Sequence, residues 1–154
     1  MLMTPDLVFK IVNAVVLPGW LLLVFAPRWK GTQPIAAFTI PALLGVAYLA
    51  IFISQVGRVE GGFDSLEAVE NLFTNRFIVV AGWIHYLAFD IFVGSWEVRN
   101  SQRIGLSHWF VLPCLLLTFL AGPLGLLIYL VFRVLIIRTR QPELAASPVN
   151  DVPA

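Results

Sequence analysis

The sequence predicts an all-α integral membrane protein, a four-helix bundle with a short interfacial helix between helices two and three. Its 154 residues are 59% hydrophobic and 12% charged, whereas soluble domains average about 45–50% apolar and about 25% charged residues. The mean hydropathy is +0.88. Four apolar runs reach the ~20 residues needed to cross ~30 Å of hydrocarbon. A chain this short has room for one domain, which excludes a soluble multi-domain enzyme.

The four runs set the expected spans. They extend from Leu7 to Ala26, from Ile35 to Val56, from Phe77 to Trp96 and from Trp109 to Phe132. Lys10 lies one turn into the first run, where its stem can reach the interface. The first run lacks a basic leading region and is too long for the apolar part of a signal peptide, so we interpret it as a retained helix.

Prolines and a capping pattern add local detail. Pro113 and Pro123 lie inside the fourth run, and we expect them to be tolerated because neighbouring helices can satisfy the freed carbonyl groups. In the longest connection, Asp64 and Glu67 have the spacing of a capping box ahead of apolar residues. This pattern predicts a short helix at the membrane surface from Asp64 to Phe73.

The C-terminal residues differ from the rest of the chain. Residues 139–154 are polar and contain three prolines, which predicts a disordered tail after a transmembrane domain of residues 1–138. An even number of crossings places both termini on one side. Six Lys and Arg residues are expected on the side of the termini and four on the other side. Because the cytoplasmic side carries the excess of Lys and Arg, this count favours cytoplasmic termini.

Two ionisable residues lie deep in the third run and are the first candidates for chemistry. Inserting an Asp at the centre of a transmembrane helix costs about 2.5–3.5 kcal/mol of free energy. We therefore expect His85 and Asp90 each to have a hydrogen-bond partner or a functional role. At about 100° per residue they project about 140° apart. The Asp90 stripe contains Trp83, Tyr86, Gly94 and Glu97, and the His85 stripe contains Ile78, Phe89, Phe92 and Trp96.

Each of the two has two interpretations. Asp90 is either a hydrogen-bonding group between helices or a proton acceptor or donor, and His85 is either a satisfied core histidine or an acid/base group. Glu97 and His108 belong to a polar stretch between the third and fourth runs. That stretch is either an ordinary solvated loop or a polar mouth above Asp90.

Several cofactors and partners are not expected. His85 and His108 lie at different depths, which argues against one haem held by both in a single chain. Two histidines are too few for a membrane di-iron centre, and the single Cys114 offers no thiolate cage. We therefore expect no metal and no cofactor. A net charge of +1 argues against nucleic acid as a partner.

Part of the chain resembles a known family. The block GWIHYLAFDIFVG (Gly82 to Gly94), His108 at the start of the fourth run, and the run VLPCLLLTFLAGPLGLL resemble the plant neoxanthin synthase-like proteins of the abscisic acid deficient type and their bacterial relatives. The resemblance covers about Ser65 to Arg133. No Ser/Arg-rich transit peptide precedes the first run, which favours a bacterial relative in the inner membrane.

The resemblance implies carotenoid metabolism. In plants such proteins are needed to make neoxanthin from violaxanthin, an isomerisation in which an epoxide opens, a vinylic proton leaves and an allenic alcohol forms. For an enzyme of this kind we expect His85, Asp90, Glu97 and His108 as acid/base candidates. Trp83, Tyr86, Phe89 and Trp96 would then contact a carotenoid or another lipid-soluble polyene. The alternative is a non-enzymatic pigment- or lipid-binding subunit, in a larger membrane complex or a homo-oligomer.

Overall fold

The computed structural model describes residues 3–146. All regular secondary structure among these residues is helical, so the all-α prediction is confirmed. The elements are α1 (Pro5–Phe25), α2 (Pro34–Gln55), α3 (Leu66–Phe73), α4 (Arg76–Ile104) and α5 (His108–Ala146). Of these, α1, α2, α4 and α5 are long and apolar enough to cross a membrane. The protein is therefore an integral membrane protein.

The chain divides into two compact units, Met1–Trp96 and Glu97–Ala154. In the first unit α1, α2 and the larger part of α4 pack together. Side chains of α2 and α4 pack directly on Gly19 of α1, where a Cβ would lie 2.6 Å from Ile40 Cδ1 and would also overlap Ile91 Cδ1. Around this point the core consists of fully buried aliphatic side chains such as Val16 and Ile84.

Polar side chains fix the connection between α1 and α2. Thr32 is fully buried, and its hydroxyl donates to the Ala26 carbonyl at 2.6 Å. The Gln33 amide donates to the Ser95 carbonyl of α4 at 3.1 Å. The first six residues of α2, Pro34–Thr39, form a wider π-helical turn, after which the helix continues with α-helical geometry.

The short helix predicted between helices two and three is present as α3. Its N-cap is Ser65, whose Oγ accepts from the Ala68 amide at 3.1 Å. The sequence pattern placed the cap one residue earlier, at Asp64, so that detail is wrong. Leu66 is 75% exposed, an apolar surface that suits a helix at the boundary of a bilayer.

The ends of the last two long helices differ from the expected spans. The third run was expected to end at Trp96, whereas α4 continues to Ile104. The backbone of α5 is helical to Ala146 and so includes the first residues of the expected tail. Residues 147–154 lie outside the described residues, and a disordered tail there stays a prediction.

The fourth run is not one continuous helix. Ala121 has φ −157° and ψ 73°, which is not helical, and it divides α5 into two halves. We expected Pro123 to be tolerated within the fourth span, whereas the backbone leaves helical geometry two residues before it. Proline cannot donate to the helix ladder, and its ring clashes with the carbonyl four residues before it. Here Gly122 and Gly125 flank the proline and weaken the helix further.

Candidate functional site

The first unit contains an apolar pocket of about 650 Å³. It lies between the second half of α2, the connection that follows, α3 and the first half of α4, and its volume falls within the about 300–1,000 Å³ usual for small-molecule sites. Its wall is mostly apolar, with Phe52, Val56, Phe63, Leu72, Phe73 and Ile78 among the residues that form it. The polar side chains in the wall are Tyr48, Gln55 and His85.

His85 marks one end of the apolar pocket. Its ring stacks on Phe89 of the next helical turn, with centroids 4.5 Å apart, and faces Tyr48 of α2 at 6.2 Å. His85 itself is exposed, so an occupant of the pocket can reach the imidazole. One of the two interpretations placed His85 in the core of the bundle. That placement is wrong, because the side chain is exposed.

Two amides lie at the other end of the apolar pocket. Gln55 is 8% exposed, and its Oε1 accepts from Asn75 Nδ2 at 3.2 Å. Asn75 Oδ1 in turn accepts from the Phe77 backbone amide at 2.8 Å, which caps the start of α4. This pair joins the end of α2 to the start of α4 and fixes the pocket wall at that point.

Glycine shapes the connection between α2 and α3. Gly61 has φ +114°, a conformation that other residues rarely adopt, and a Cβ on it would lie 2.7 Å from the Leu72 amide nitrogen. The neighbouring Gly62 amide donates to the Ala68 carbonyl at 3.2 Å. The connection therefore lies directly against α3, and the two form one wall of the apolar pocket.

Asp90 lies on a different face of α4 from His85, as the helical spacing predicted. It is 8% exposed and hydrogen-bonds to the Tyr86 side chain one turn earlier. Its other oxygen, Oδ2, is buried and has no hydrogen-bond partner among the described residues. Asp90 does not line the apolar pocket, so the structure does not bring it together with His85.

Trp83 and Tyr86 extend the Asp90 face toward α1. Their rings are 5.2 Å apart, and the Trp83 indole donates to Asn13 Oδ1 at 3.3 Å. Near the same ends of these helices, Arg76 pairs with Asp6 at 2.6 Å, both exposed. The α1–α4 contact is thus held by polar as well as apolar groups.

The remaining sequence candidates lie elsewhere. Glu97 and His108 belong to the second unit, where Glu97 is fully buried and accepts from the Thr118 hydroxyl at 3.0 Å. His108 begins α5 and is half-buried, and Trp96 is half-buried at the end of the first unit. Among the described residues, no three His, Cys, Asp or Glu side chains are grouped so as to hold a metal ion.

Sequence reasoning missed four polar residues of the first unit: Asn13, Tyr48, Gln55 and Asn75. A weak signal existed for two of them. Tyr48 and Gln55 are seven residues apart in a run without charged residues, so they share one helical face. No pattern in the sequence pairs Gln55 with Asn75. Their contact depends on the path of the chain between α2 and α4, through the connection after α2 and through α3.

Comparison with known proteins gives the family. Neither a curated protein nor a solved structure matches the chain. The sequence model of the family described as ABA DEFICIENT 4-like matches residues 7–129. The match covers most of the chain and includes nearly all of α1, all of α2, the apolar pocket and the break in α5. A match of this extent confirms the resemblance found in the third and fourth runs: the chain belongs to the ABA DEFICIENT 4-like family.

Proposed function

We propose that the protein binds the end group of a carotenoid, or of a similar lipid-soluble polyene, in the apolar pocket and isomerises it by acid/base chemistry. The observation that carries this proposal is a pocket of about 650 Å³ between helices able to span a membrane, with His85 in its wall. Family membership supports the same substrate class, because the resemblance implies carotenoid metabolism.

The surroundings of the apolar pocket suit a ligand that arrives from lipid. Phe52 and Ile53 on α2 are 45% and 63% exposed, and Phe89 on α4 is 59% exposed. In a membrane, exposed apolar side chains of this kind face acyl chains. A polyene dissolved in the bilayer would then reach His85 without crossing water.

The chemistry needs one group to accept a proton and one to donate. In the isomerisation that the family resemblance implies, a carbon-bound proton leaves while the oxygen of an opening epoxide gains a proton, with no net oxidation. Neutral imidazole is a suitable base near pH 7. In our proposal His85 takes the proton from carbon and the Tyr48 hydroxyl protonates the oxygen. Proton return from His85 to Tyr48 then restores both groups.

The other acid/base candidates take different places in this proposal. Asp90, with Tyr86 as its hydrogen-bond partner, contributes to the structure of α4. Helper roles for Glu97 and His108 stay predictions, as do contacts of the substrate with Trp83, Tyr86 and Trp96. Phe89, stacked on His85, is the aromatic candidate placed best to contact a bound end group.

A second candidate function is binding without conversion, as a pigment- or lipid-binding subunit of a larger membrane complex or a homo-oligomer. One observation favours it: among the residues that the structure describes, Tyr48 and His85 are the only titratable ones that line the apolar pocket. For either function we propose a bacterial inner membrane as the location.

Pigment analysis separates the two functions. The chain is expressed in bacteria that make violaxanthin or related carotenoids, next to His85→Gln and to Phe92→Leu, a control on α4 that is 45% exposed and does not line the pocket. We expect a new isomer with the wild type and the control, and none with His85→Gln at equal membrane abundance. Bound but unchanged pigment would favour the binding function, and no bound pigment would contradict both.

A further inference from the structure

The second unit shows that α5 folds back on itself. Phe110 and Phe132 have ring centroids 6.3 Å apart, although 22 residues of straight helix would separate them by about 33 Å. A Cβ on Gly125 would lie 2.6 Å from Thr118 Cα, so the two halves touch closely beside the break at Ala121. Residues 108–120 and 122–138 are therefore antiparallel neighbours.

Each half of α5 is attached to the last turns of α4. In the first half, the Thr118 hydroxyl donates to Glu97 Oε1 at 3.0 Å. In the second half, the Tyr129 hydroxyl donates to Asn100 Oδ1 at 2.8 Å. Thr118, Glu97 and Tyr129 are all fully buried, and breaking such buried hydrogen bonds is costly. Because Glu97 and Asn100 are neighbours on one helical face, they hold both halves beside the same part of α4.

The length of each half bears on how α5 meets the membrane. The 13 residues from 108 to 120 extend about 20 Å, less than the ~30 Å of a hydrocarbon core. The total length of α5 is sufficient for a crossing. Because its two halves are antiparallel, however, the second half ends beside the start of the first half. Arg138 thus lies at the same end of the hairpin as His108.

We propose that residues 108–138 form a re-entrant hairpin, which enters and leaves the membrane on the face where α4 ends. The hairpin adds no crossing, so within residues 3–138 only α1, α2 and α4 cross, and the start of α1 lies on the opposite side from Arg138. This proposal replaces our expectation of both termini on one side, and it is independent of the ligand in the apolar pocket. The Glu97 and Asn100 side chains are then the groups that position the hairpin.

Cross-linking in the membrane tests the fold-back. Cys114 is the single native cysteine, so a Cys114→Ala background accepts the pair Phe110→Cys and Phe132→Cys. With a membrane-permeant bismaleimide whose two reactive groups are about 8 Å apart, we expect an intrachain cross-link, detected as the added mass of one linker joined to both thiols. The two single-cysteine variants are the controls and give no intrachain product. Absence of the cross-link in the double variant, with each thiol modified separately by a monofunctional maleimide, would overturn the proposal.

Thiol accessibility tests the topology with exposed residues that do not pack in the hairpin. Single cysteines replace Arg58, Ser107 and Arg138 in the same background and are labelled in sealed vesicles with a membrane-impermeant maleimide. We expect Arg138→Cys to be labelled from the same side as Ser107→Cys, and Arg58→Cys from the opposite side. Labelling of Arg138→Cys from the side of Arg58→Cys would show that α5 crosses the membrane, and would overturn the proposal.

Discussion

The substitution Gly82→Leu should fill part of the apolar pocket and weaken ligand binding without disturbing the fold. Gly82 lies on α4 in the pocket wall, and a Cβ built there would lie 3.0 Å from Phe73 Cε1. The Phe73 ring is 47% exposed and can move by a few tenths of an ångström. We therefore expect Gly82→Leu to fold normally and to place its side chain in the cavity.

The loss of affinity follows from the space that leucine takes. The side chain adds four carbons, and each apolar carbon of the ligand that it displaces loses about 0.8 kcal/mol of burial. Four such carbons amount to about 3 kcal/mol, which corresponds to roughly a 100-fold increase in Kd. Conversion of the ligand should fall with its binding.

The assay is an absorption titration of the purified protein in lipid nanodiscs with violaxanthin. Gly45→Leu is the matched control, because a Cβ on this exposed glycine of α2 meets no atom within 4 Å. We expect the control to bind like the wild type and both variants to retain the wild-type Tm. Wild-type affinity in Gly82→Leu would refute the assignment of the apolar pocket as the binding site.

Three further predictions concern folding. Gly19→Leu should lower the free energy of unfolding by about 1–3 kcal/mol, because its Cβ would overlap Ile91; thermal unfolding at the Tm of Gly45→Leu would contradict the packing. Asp90→Ala, which removes the acceptor, and Tyr86→Phe, which removes the donor, should each cost about 1–3 kcal/mol, and the double variant should cost less than their sum; additive losses in a thermal-unfolding cycle would show that the pair does not interact. Ser65→Ala should destabilise α3 by about 0.5–2 kcal/mol, seen as faster hydrogen exchange of its amides, and unchanged exchange would contradict the capping role.

Hydrophobic patterning predicted most of the fold because each span must satisfy its own backbone in lipid. The same reasoning failed at Pro123. Pro18 lies within α1, which remains one helix, whereas α5 is broken near Pro123. The difference lies in the neighbours: Gly125 lets the two halves approach, and Thr118 and Tyr129 bond to α4. These contacts depend on tertiary structure and leave little trace in local composition.

The candidate site was predictable only in part. Helical spacing separated His85 from Asp90, and the structure places them on different faces of α4. The partners of His85 could not be predicted, because Tyr48 comes from α2 and the pocket wall comes from the connection and α3. Spacing along one helix carries no information about which neighbouring helix supplies the opposite wall.

Photolabelling shows directly which residues contact a bound carotenoid. A carotenoid analogue with a diazirine on its end group is added to membranes containing the protein, irradiated, and the adducts are located by mass spectrometry. We expect adducts on residues that line the apolar pocket, above all on His85 and its neighbour Tyr48, and fewer adducts in Gly82→Leu. Adducts confined to residues outside the pocket, with labelling unchanged in Gly82→Leu, would contradict binding of the carotenoid in the apolar pocket.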